Sequence, residues 1–215
     1  MTKYLGAGGA AALASAMLLT VGGSGQALAQ QVNNLPVVQA VVRTATGPTQ
    51  TTPAYSVAPG SDAAVAREAS WLQRAGWPLY ALVDKFSAGA PLTDEANCIA
   101  VAVYHEARGE SLEGQLAVAK VIMNRAASGR YPTSWCGVVK QPWQFSFVRQ
   151  GRFPSVDQGS SAWRKALGVT RLAVANAVQS VPSDCLWYHA DYVAPSWGRR
   201  LTRVDKIGAH IFYRS

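Results

Sequence analysis

The chain has 215 residues, of which 49% are hydrophobic and 15% are charged. This composition excludes an intrinsically disordered protein, because the chain has enough hydrophobic residues to form a buried core. Its length suits one domain of ordinary size plus ancillary segments. The formal net charge of +8 suits an acidic partner. The basic residues form no long runs, so an anionic cell envelope fits this charge as well as nucleic acid does, and no nucleic-acid partner is predicted.

Residues 1–29 have the pattern of a secretory signal peptide. Lys3 precedes a small and apolar stretch, and Ala27 and Ala29 form an A-x-A cleavage site before Gln30. The apolar stretch has no convincing stop-transfer flank, so no stable membrane insertion is expected after cleavage. The mature protein is therefore predicted to be exported, either to a periplasm or to the cell envelope and exterior.

The segment between the signal peptide and the main domain divides into two parts. Residues 30–60 are rich in Gln, Thr, Pro, Val and Ala with almost no charge, which predicts a flexible linker. Residues 61–92 are predicted to form an N-terminal helical segment, with helices over 63–75 and 78–86. This segment either packs on the domain that follows or forms a separate helical hairpin.

Two apolar helical segments, 93–107 and 111–127, flank a polar turn. Helical periodicity puts Glu106 on the inward side of the first helix, close to its C-terminal end. Burial and the negative end of the helix dipole both favour a protonated carboxyl group, as in the general acid of a glycosidase. The alternative is that Glu106 only pairs with Arg108 or Arg125 and ties two helices together.

The other elements follow from turn residues and hydrophobic spacing. In chain order they are a helix stop at Gly109, a turn at Cys136-Gly137, a strand or ordered loop over 141–151, a helix from 160 or 161 to about 179, and short strands over 186–189 and 210–213. The predicted fold class is α+β, mainly helical with a small β element.

Three cysteines in an exported protein predict one disulfide and one free thiol. Cys98 and Cys136 are the candidate pair, although Cys185 could replace either of them. A bridge between the first two would close a loop of roughly forty residues, worth about 3–4 kcal/mol in the chain-entropy model. None of the three has the close paired spacing of structural zinc ligands, so no metal is predicted.

A series of motifs over residues 93–215 resembles the spore-cortex-lytic type of cell wall hydrolase. The motifs are His105-Glu106-Ala107-Arg108-Gly109-Glu110, Gly114-Gln115, Ala117-Val118-Ala119, Asn124-Arg125, Tyr131-Pro132, Cys136-Gly137-Val138-Val139, Gln144-Phe145-Ser146-Phe147, Tyr188-His189-Ala190, Val193, Pro195, Trp197, Ile207-Gly208, His210 and Phe212-Tyr213. The resemblance implies a lysozyme-like domain over 93–215 that cleaves peptidoglycan, with Glu106 as the catalytic acid and no cofactor.

This family is similar to lytic transglycosylases, which cut the bond between N-acetylmuramic acid and N-acetylglucosamine and leave a 1,6-anhydro product. In that reaction Glu106 would protonate the glycosidic oxygen and then, as a carboxylate, take the proton of the sugar's 6-hydroxyl. A muramidase that adds water is the alternative. It requires a second carboxylate, for which Glu110, Asp157 and Asp191 are candidates.

Seven residues are predicted to contact the glycan strand: Glu110, Arg108, Gln144, Ser146, Tyr188, His189 and Trp197. Each also has a structural interpretation, such as an ion pair for Arg108 and a strand hydrogen bond for Ser146. Trp143 and Trp197 could stack on sugar rings, with packing in the core or at an interface as the alternative.

Two other classes of protein stay open. His105, His189 and His210 could form a zinc amidase site with Glu106, although no histidine pair has the spacing of common zinc helices. The chain could also be a non-catalytic peptidoglycan-binding module, against which the intact Glu106 argues.

Overall fold

The computed structural model describes residues 60–215, in which helices are followed by a small sheet. The elements are α1 (Asp62–Arg74), α2 (Leu79–Lys85), α3 (Asp94–Ala107), α4 (Leu112–Ala127), α5 (Trp135–Lys140), α6 (Ser161–Val174), β1 (Cys185–Ala190), a 3-10 helix (Gly198–Arg200), β2 (Thr202–Ile207) and β3 (His210–Arg214). This confirms the predicted α+β class. The signal peptide predicted over 1–29 and the linker predicted over 30–60, except for Gly60, lie outside the described residues.

Hydroxyl side chains fix where most of the helices begin. The N-cap hydroxyl accepts a hydrogen bond from the backbone N–H three residues later, which satisfies a donor that the first helical turn leaves free. The residues that do this are Ser61 for α1, Thr93 for α3, Ser111 for α4, Ser134 for α5 and Ser160 for α6. Local sequence therefore sets these helix starts.

The structure confirms the predicted end of α3 at residue 107 but not the form of its stop, and it shortens the last long helix. Gly109 does not stop α3 in a left-handed conformation; the helix closes instead with a turn in which the Glu110 N–H donates to the Ala107 carbonyl at 2.9 Å. The last long helix, α6, ends at Val174 rather than near residue 179. Asn176 follows with a φ of +50°, a left-handed conformation that interrupts the helix.

The turn predicted at Cys136-Gly137 is part of helix α5. A carboxylate oxygen of Glu95, in the first turn of α3, accepts hydrogen bonds from the N–H groups of Trp135 at 2.6 Å and Cys136 at 3.2 Å. This contact spans forty residues, so local sequence does not reveal it. Residues 141–151, predicted as strand or ordered loop, form a loop whose single bridge joins Arg149 to Arg152.

Helices α3 and α4 form the centre of the core. Their buried side chains include Ile99, Ala102 and Val103 from α3 and Leu116, Ala119, Val121 and Ile122 from α4, all at most 1% exposed. A disulfide between Cys98 and Cys136, the candidate pair, ties α3 to α5. Cys185 is buried and free.

Helices α1 and α2 pack against α6 in the structure. The approach of α2 to α6 is close, because a Cβ atom added at Gly168 would collide with the carbonyl oxygen of Val83. Of the two arrangements open for residues 61–92, the structure has the one in which the segment packs on the following helices. No helix within residues 60–215 is long and apolar enough to span a membrane.

The sheet is antiparallel, with the strand order β1-β3-β2. Two of its strands were predicted, whereas β2 was not recognised as a strand. Polar side chains of α4 fasten the sheet to the helices: the Asn124 amide donates to the carbonyls of Pro182 and Cys185 at 2.8 and 3.1 Å. The β2–β3 turn meets the polar turn between α3 and α4, where the Ala209 N–H donates to a carboxylate oxygen of Glu110.

Candidate active site

A groove of about 740 Å³ lies between the helices and the sheet. We call it the Glu106 groove. Its lining comes from α3, α4, β1 and β3, from the 141–151 loop, and from the connections that follow α3, α4, β1 and β2. The lining residues are Glu106, Glu110, Arg125, Tyr131, Trp143, Gln144, Ser146, Trp187, Tyr188, His189, Ala190, Tyr192, Trp197, Ala209 and His210. The groove is thus polar and aromatic, with two carboxyl groups.

Glu106 lies in the last turn of α3 and is half-buried in the groove wall. Burial raises the pKa of its carboxyl group above the ordinary glutamate range, and the positive charge of Arg125 opposes this rise. The negative end of the α3 dipole also favours the protonated form. None of the ion pairs in residues 60–215 involves Glu106, so the alternative pairing with Arg108 or Arg125 is not formed.

The second carboxyl group, that of Glu110, is engaged by the β2–β3 turn. One of its oxygens accepts a hydrogen bond from the Ala209 N–H at 2.8 Å. Gly208 has a φ of +60°, and a Cβ atom there would collide with the same carboxylate. The other oxygen lies 3.7 Å from Nδ1 of His210, which is beyond hydrogen-bond length. Burial lowers the pKa of His210, while Glu110 opposes this effect.

Arg125 forms the base of the groove next to Glu106. Its guanidinium is buried and donates to the Leu186 carbonyl at 2.7 Å and to Oε1 of Gln144 at 3.2 Å. It also lies 5.1 Å from the centre of the Tyr131 ring, within cation–π range. The arginine therefore orients Gln144 and contributes a fixed positive charge beside the acid.

The sheet side of the groove is a packed aromatic cluster. Nε2 of His189 is 2.9 Å from the Tyr213 hydroxyl, and the His189 ring meets Trp197 edge-on at 5.5 Å. Burial is the main cause of a raised pKa at Tyr188, so this phenol stays protonated at neutral pH. Neighbouring rings hold these side chains, so their polar atoms have fixed positions in the groove.

Six of the seven predicted substrate-contacting residues line the groove: Glu110, Gln144, Ser146, Tyr188, His189 and Trp197. The seventh, Arg108, does not, because its exposed guanidinium lies over the Tyr104 ring at 5.2 Å. Asp191 and Asp157 are also absent from the lining; Asp191 pairs with Lys206 at 2.7 Å.

Some lining residues were not among the predicted contacts, notably Arg125, Tyr131, Trp187, Tyr192 and His210. Arg125 carried a usable signal, because an arginine within the apolar residues of α4 must find buried partners. For Trp143 the sequence left two interpretations, stacking on a sugar ring and packing in the core. It is fully exposed at the groove and has a φ of +67°, which is unusual for a bulky side chain.

The three histidines of the zinc alternative are not gathered at one point. His189 and His210 line the groove, but His105 does not. The His105 ring stacks on Phe147 at 5.0 Å, and its Nε2 is buried without a hydrogen-bond partner. Across residues 60–215 no group of three or more His, Cys, Asp or Glu side chains is arranged to hold a metal ion.

The cell wall hydrolase family model matches residues 109–213, which begin three residues after Glu106. A solved structure, the catalytic domain of the germination-specific lytic transglycosylase SleB from Bacillus anthracis, is 30% identical in sequence to this chain. The match covers 59% of this chain and 100% of that domain, with a TM-score of 0.48. Residues 109–213 of this chain are therefore a cell wall hydrolase domain.

Curated relatives agree with this assignment. The spore cortex-lytic enzyme of Bacillus subtilis is 36% identical over 124 residues, which make up 55% of this chain and 37% of the relative. The spore cortex-lytic enzyme of Oceanobacillus iheyensis is 35% identical over 122 residues, or 55% of this chain and 41% of the relative. The chain therefore spans less than half the length of these relatives.

Proposed function

We propose that this chain is an exported enzyme that cuts the glycan strands of peptidoglycan between N-acetylmuramic acid and N-acetylglucosamine. We further propose that it works as a lytic transglycosylase with Glu106 as its single acid and base. The observation that carries the proposal is a half-buried carboxyl group, raised in pKa and free of ion pairs, in the wall of a long polar groove. The names of its relatives, spore cortex-lytic enzyme and lytic transglycosylase, support the same activity.

The first step needs an acid that still carries its proton near neutral pH. Burial favours the protonated form of Glu106, and the groove gives a sugar strand access to that proton. Transfer of the proton to the glycosidic oxygen breaks the bond to the leaving sugar as an oxocarbenium-like centre develops. Glu106 is left as a carboxylate, which the nearby positive charge of Arg125 stabilises.

The second step uses the same carboxyl group as a base. The Glu106 carboxylate takes the proton of the 6-hydroxyl while that oxygen bonds to the anomeric carbon, so the acid is regenerated and a 1,6-anhydro ring forms. No second carboxylate and no cofactor is required. Glu110, the other carboxyl group in the groove, accepts a hydrogen bond from the Ala209 N–H and so already has a structural role. This supports a route that uses Glu106 alone.

The lining chemistry also suits a sugar polymer. Trp143 and Trp197 offer ring faces, and Gln144 and Ser146 offer hydrogen-bonding groups along the same groove. Aromatic faces combined with a few fixed polar groups are typical of sites that bury a ring-shaped ligand and orient it. We propose that these residues hold successive sugars beside Glu106.

A muramidase is the second candidate, because Glu110 also lines the groove and could activate water. The zinc amidase is less well supported, since His105 lies outside the groove and is stacked on Phe147. A non-catalytic module would not need a carboxyl group with a raised pKa. We propose export on the basis of the signal peptide predicted over 1–29 and of the relatives' cortex-lytic names.

The test is digestion of purified peptidoglycan by the exported form of the chain and by two glutamine variants. Glu106→Gln should release soluble fragments at least about a hundredfold more slowly, because it cannot supply a proton. Glu113→Gln is the matched control: Glu113 is exposed, lies in the first turn of α4 and is outside the groove, so its rate should equal that of the parent. A Glu106→Gln protein with undiminished activity would refute the proposal.

A further inference from the structure

The α1–α2 segment carries exposed aromatic side chains that the candidate active site does not explain. Trp71 is 61% exposed, Trp77 is 42% exposed and Tyr80 is 69% exposed. All three precede residue 109, where the family match begins. Large aromatic side chains are costly to leave in water, so exposed ones close together indicate a binding surface more often than scattered ones do.

Two of these side chains, Trp77 and Tyr80, line a second groove of about 620 Å³ between α2, the start of α4 and α6. We call it the Trp77 groove. Its lining consists of Trp77, Tyr80, Ala81, Val83, Asp84, Lys85, Ser87, Leu112, Ser161, Arg164 and Lys165. It thus combines two aromatic rings with three basic side chains and a single acidic one. Trp71 is not part of this lining.

The charge of the Trp77 groove favours an acidic ligand. Lys85 is already paired with Glu68 at 2.9 Å. Arg164 and Lys165 are exposed on α6, and none of the ion pairs within residues 60–215 involves either of them. These two cations are therefore available to carboxylate groups on a ligand that lies against the rings.

The two grooves share the turn between α3 and α4. Glu110 lines the Glu106 groove and Leu112 lines the Trp77 groove. Two residues of extended chain span at most about 7 Å. A polymer that leaves the Glu106 groove at this turn can therefore reach the Trp77 groove within a few sugar rings.

We propose that the Trp77 groove is a second binding site for a peptidoglycan strand, separate from the site of cleavage. The Trp77 and Tyr80 rings would stack on sugar faces, while Arg164 and Lys165 would meet the carboxylates of the lactyl groups and stem peptides. The choice of this polymer rests on the proposed function. The site would hold the enzyme on insoluble wall between cuts, because two linked contacts bind more tightly than either one alone.

A lipid surface or a protein partner fits these observations less well. The rings line a concave groove instead of forming a protruding apolar face, and basic residues border them on one side. A groove of this shape accepts a narrow chain. Its position beside the Glu106 groove favours the same polymer that the Glu106 groove would cut.

The test is retention of the full chain on insoluble peptidoglycan, with every protein also carrying Glu106→Gln so that binding is measured without cleavage. Trp77→Ala combined with Tyr80→Ala should weaken retention at least about tenfold, because two stacking rings are lost. Trp71→Ala removes a tryptophan that is outside the groove and more exposed than Trp77, and it should leave retention unchanged. Arg164→Glu combined with Lys165→Glu should weaken retention, and the loss should shrink at high salt.

Cleavage of short soluble glycan fragments gives a separate readout. With Glu106 intact, the Trp77→Ala/Tyr80→Ala protein should cleave them at the parental rate, since such fragments need only the Glu106 groove. If the parent cleaves nothing, the proposed function fails, whereas the binding result still tests the Trp77 groove. Unchanged retention of both groove variants on peptidoglycan would overturn the proposal. It would also be overturned if the variants lost binding to anionic lipid vesicles but kept their binding to peptidoglycan. Thermal unfolding of each variant shows whether it is folded. If the double variant is destabilised, Tyr80→Ala alone repeats the test, because Tyr80 is mostly exposed.

Discussion

Glu106 and Glu110 line the same groove four residues apart, but the protein holds only Glu110 in place. Glu110 accepts a hydrogen bond from the Ala209 N–H at 2.8 Å, whereas none of the ion pairs in the described residues involves Glu106. Burial raises the pKa of Glu106, so this carboxyl group can arrive protonated. The two glutamates therefore suit different roles, Glu106 as the reacting acid and Glu110 as a brace for the β2–β3 turn.

Substitutions of Glu110 separate these roles. Glu110→Gln keeps an oxygen that can accept from Ala209, so its cleavage rate should stay within about tenfold of the parent, whereas loss of a general base costs about a hundredfold or more. Glu110→Ala leaves the Ala209 N–H without its partner and should reduce the free energy of unfolding by about 1–3 kcal/mol. Steady-state rates and urea unfolding of both variants measure this. A Glu110→Gln protein as inactive as Glu106→Gln would instead favour the two-carboxylate muramidase.

The pH profile should show the influence of Arg125 on Glu106. Cleavage needs the protonated acid, so kcat/KM should fall as pH rises through the pKa of Glu106, which burial raises above the ordinary glutamate value. Arg125 lowers that pKa. Arg125→Gln removes this positive charge, so the pH at which kcat/KM falls should rise. Arg125→Lys keeps a positive charge, so the pH at which kcat/KM falls should stay close to that of the parent. An unmoved fall in Arg125→Gln would mean that another group controls it.

The disulfide between Cys98 and Cys136 should contribute substantially to stability. It closes a loop with a sequence separation of 38 residues, for which the chain-entropy model gives about 4 kcal/mol. Changing both cysteines to alanine should lower the free energy of unfolding by roughly this amount in urea. A reductant should destabilise the parent but not the double variant. Equal stability of the two proteins under oxidising conditions would contradict the expectation.

Gly168 allows α2 to lie close against α6. A Cβ atom at this position would meet the carbonyl of Val83, which belongs to backbone and cannot swing aside. Gly168→Ala should therefore cost about 1–3 kcal/mol of unfolding free energy. Gly109→Ala is the matched control, because nothing lies within 4 Å of its added Cβ. Urea unfolding compares the two, and equal stability would show that α2 and α6 can separate without penalty.

The helices were predictable from sequence because their signals are local. Hydroxyl caps at Thr93 and Ser111 and the apolar spacing between them gave α3 and α4 nearly to the residue. The short helix α5 was missed although Ser134 caps it locally, because Glu95, which accepts from its first N–H groups, lies forty residues away in the chain. Strand β2 was missed for a related reason. Its side chains are mostly exposed, and its pairing with β3 determines its structure.

The candidate site was predictable wherever a residue type already implied its chemistry. Glu106 was indicated by its place in an apolar helix, whereas Tyr188 and His189 came from the resemblance to cell wall hydrolases, and all three line the groove. Arg108 does not line the groove, because it comes two residues after Glu106, a rotation of about 200° along a helix, and its guanidinium lies over the Tyr104 ring. Its contact with a glycan strand stays a prediction. The engagement of Glu110 by the β2–β3 turn, 99 residues later, had no local signal.

The most direct test of the account is mass spectrometry of the fragments released from purified peptidoglycan by the exported form of the chain and by its Glu106→Gln variant. The account predicts 1,6-anhydro-muramic acid ends from the parent and none above background from the variant. Reducing muramic acid ends would contradict the single-carboxylate mechanism and require a residue that activates water. Released stem peptides, or anhydro ends from Glu106→Gln at the parental rate, would contradict the assignment of Glu106 itself.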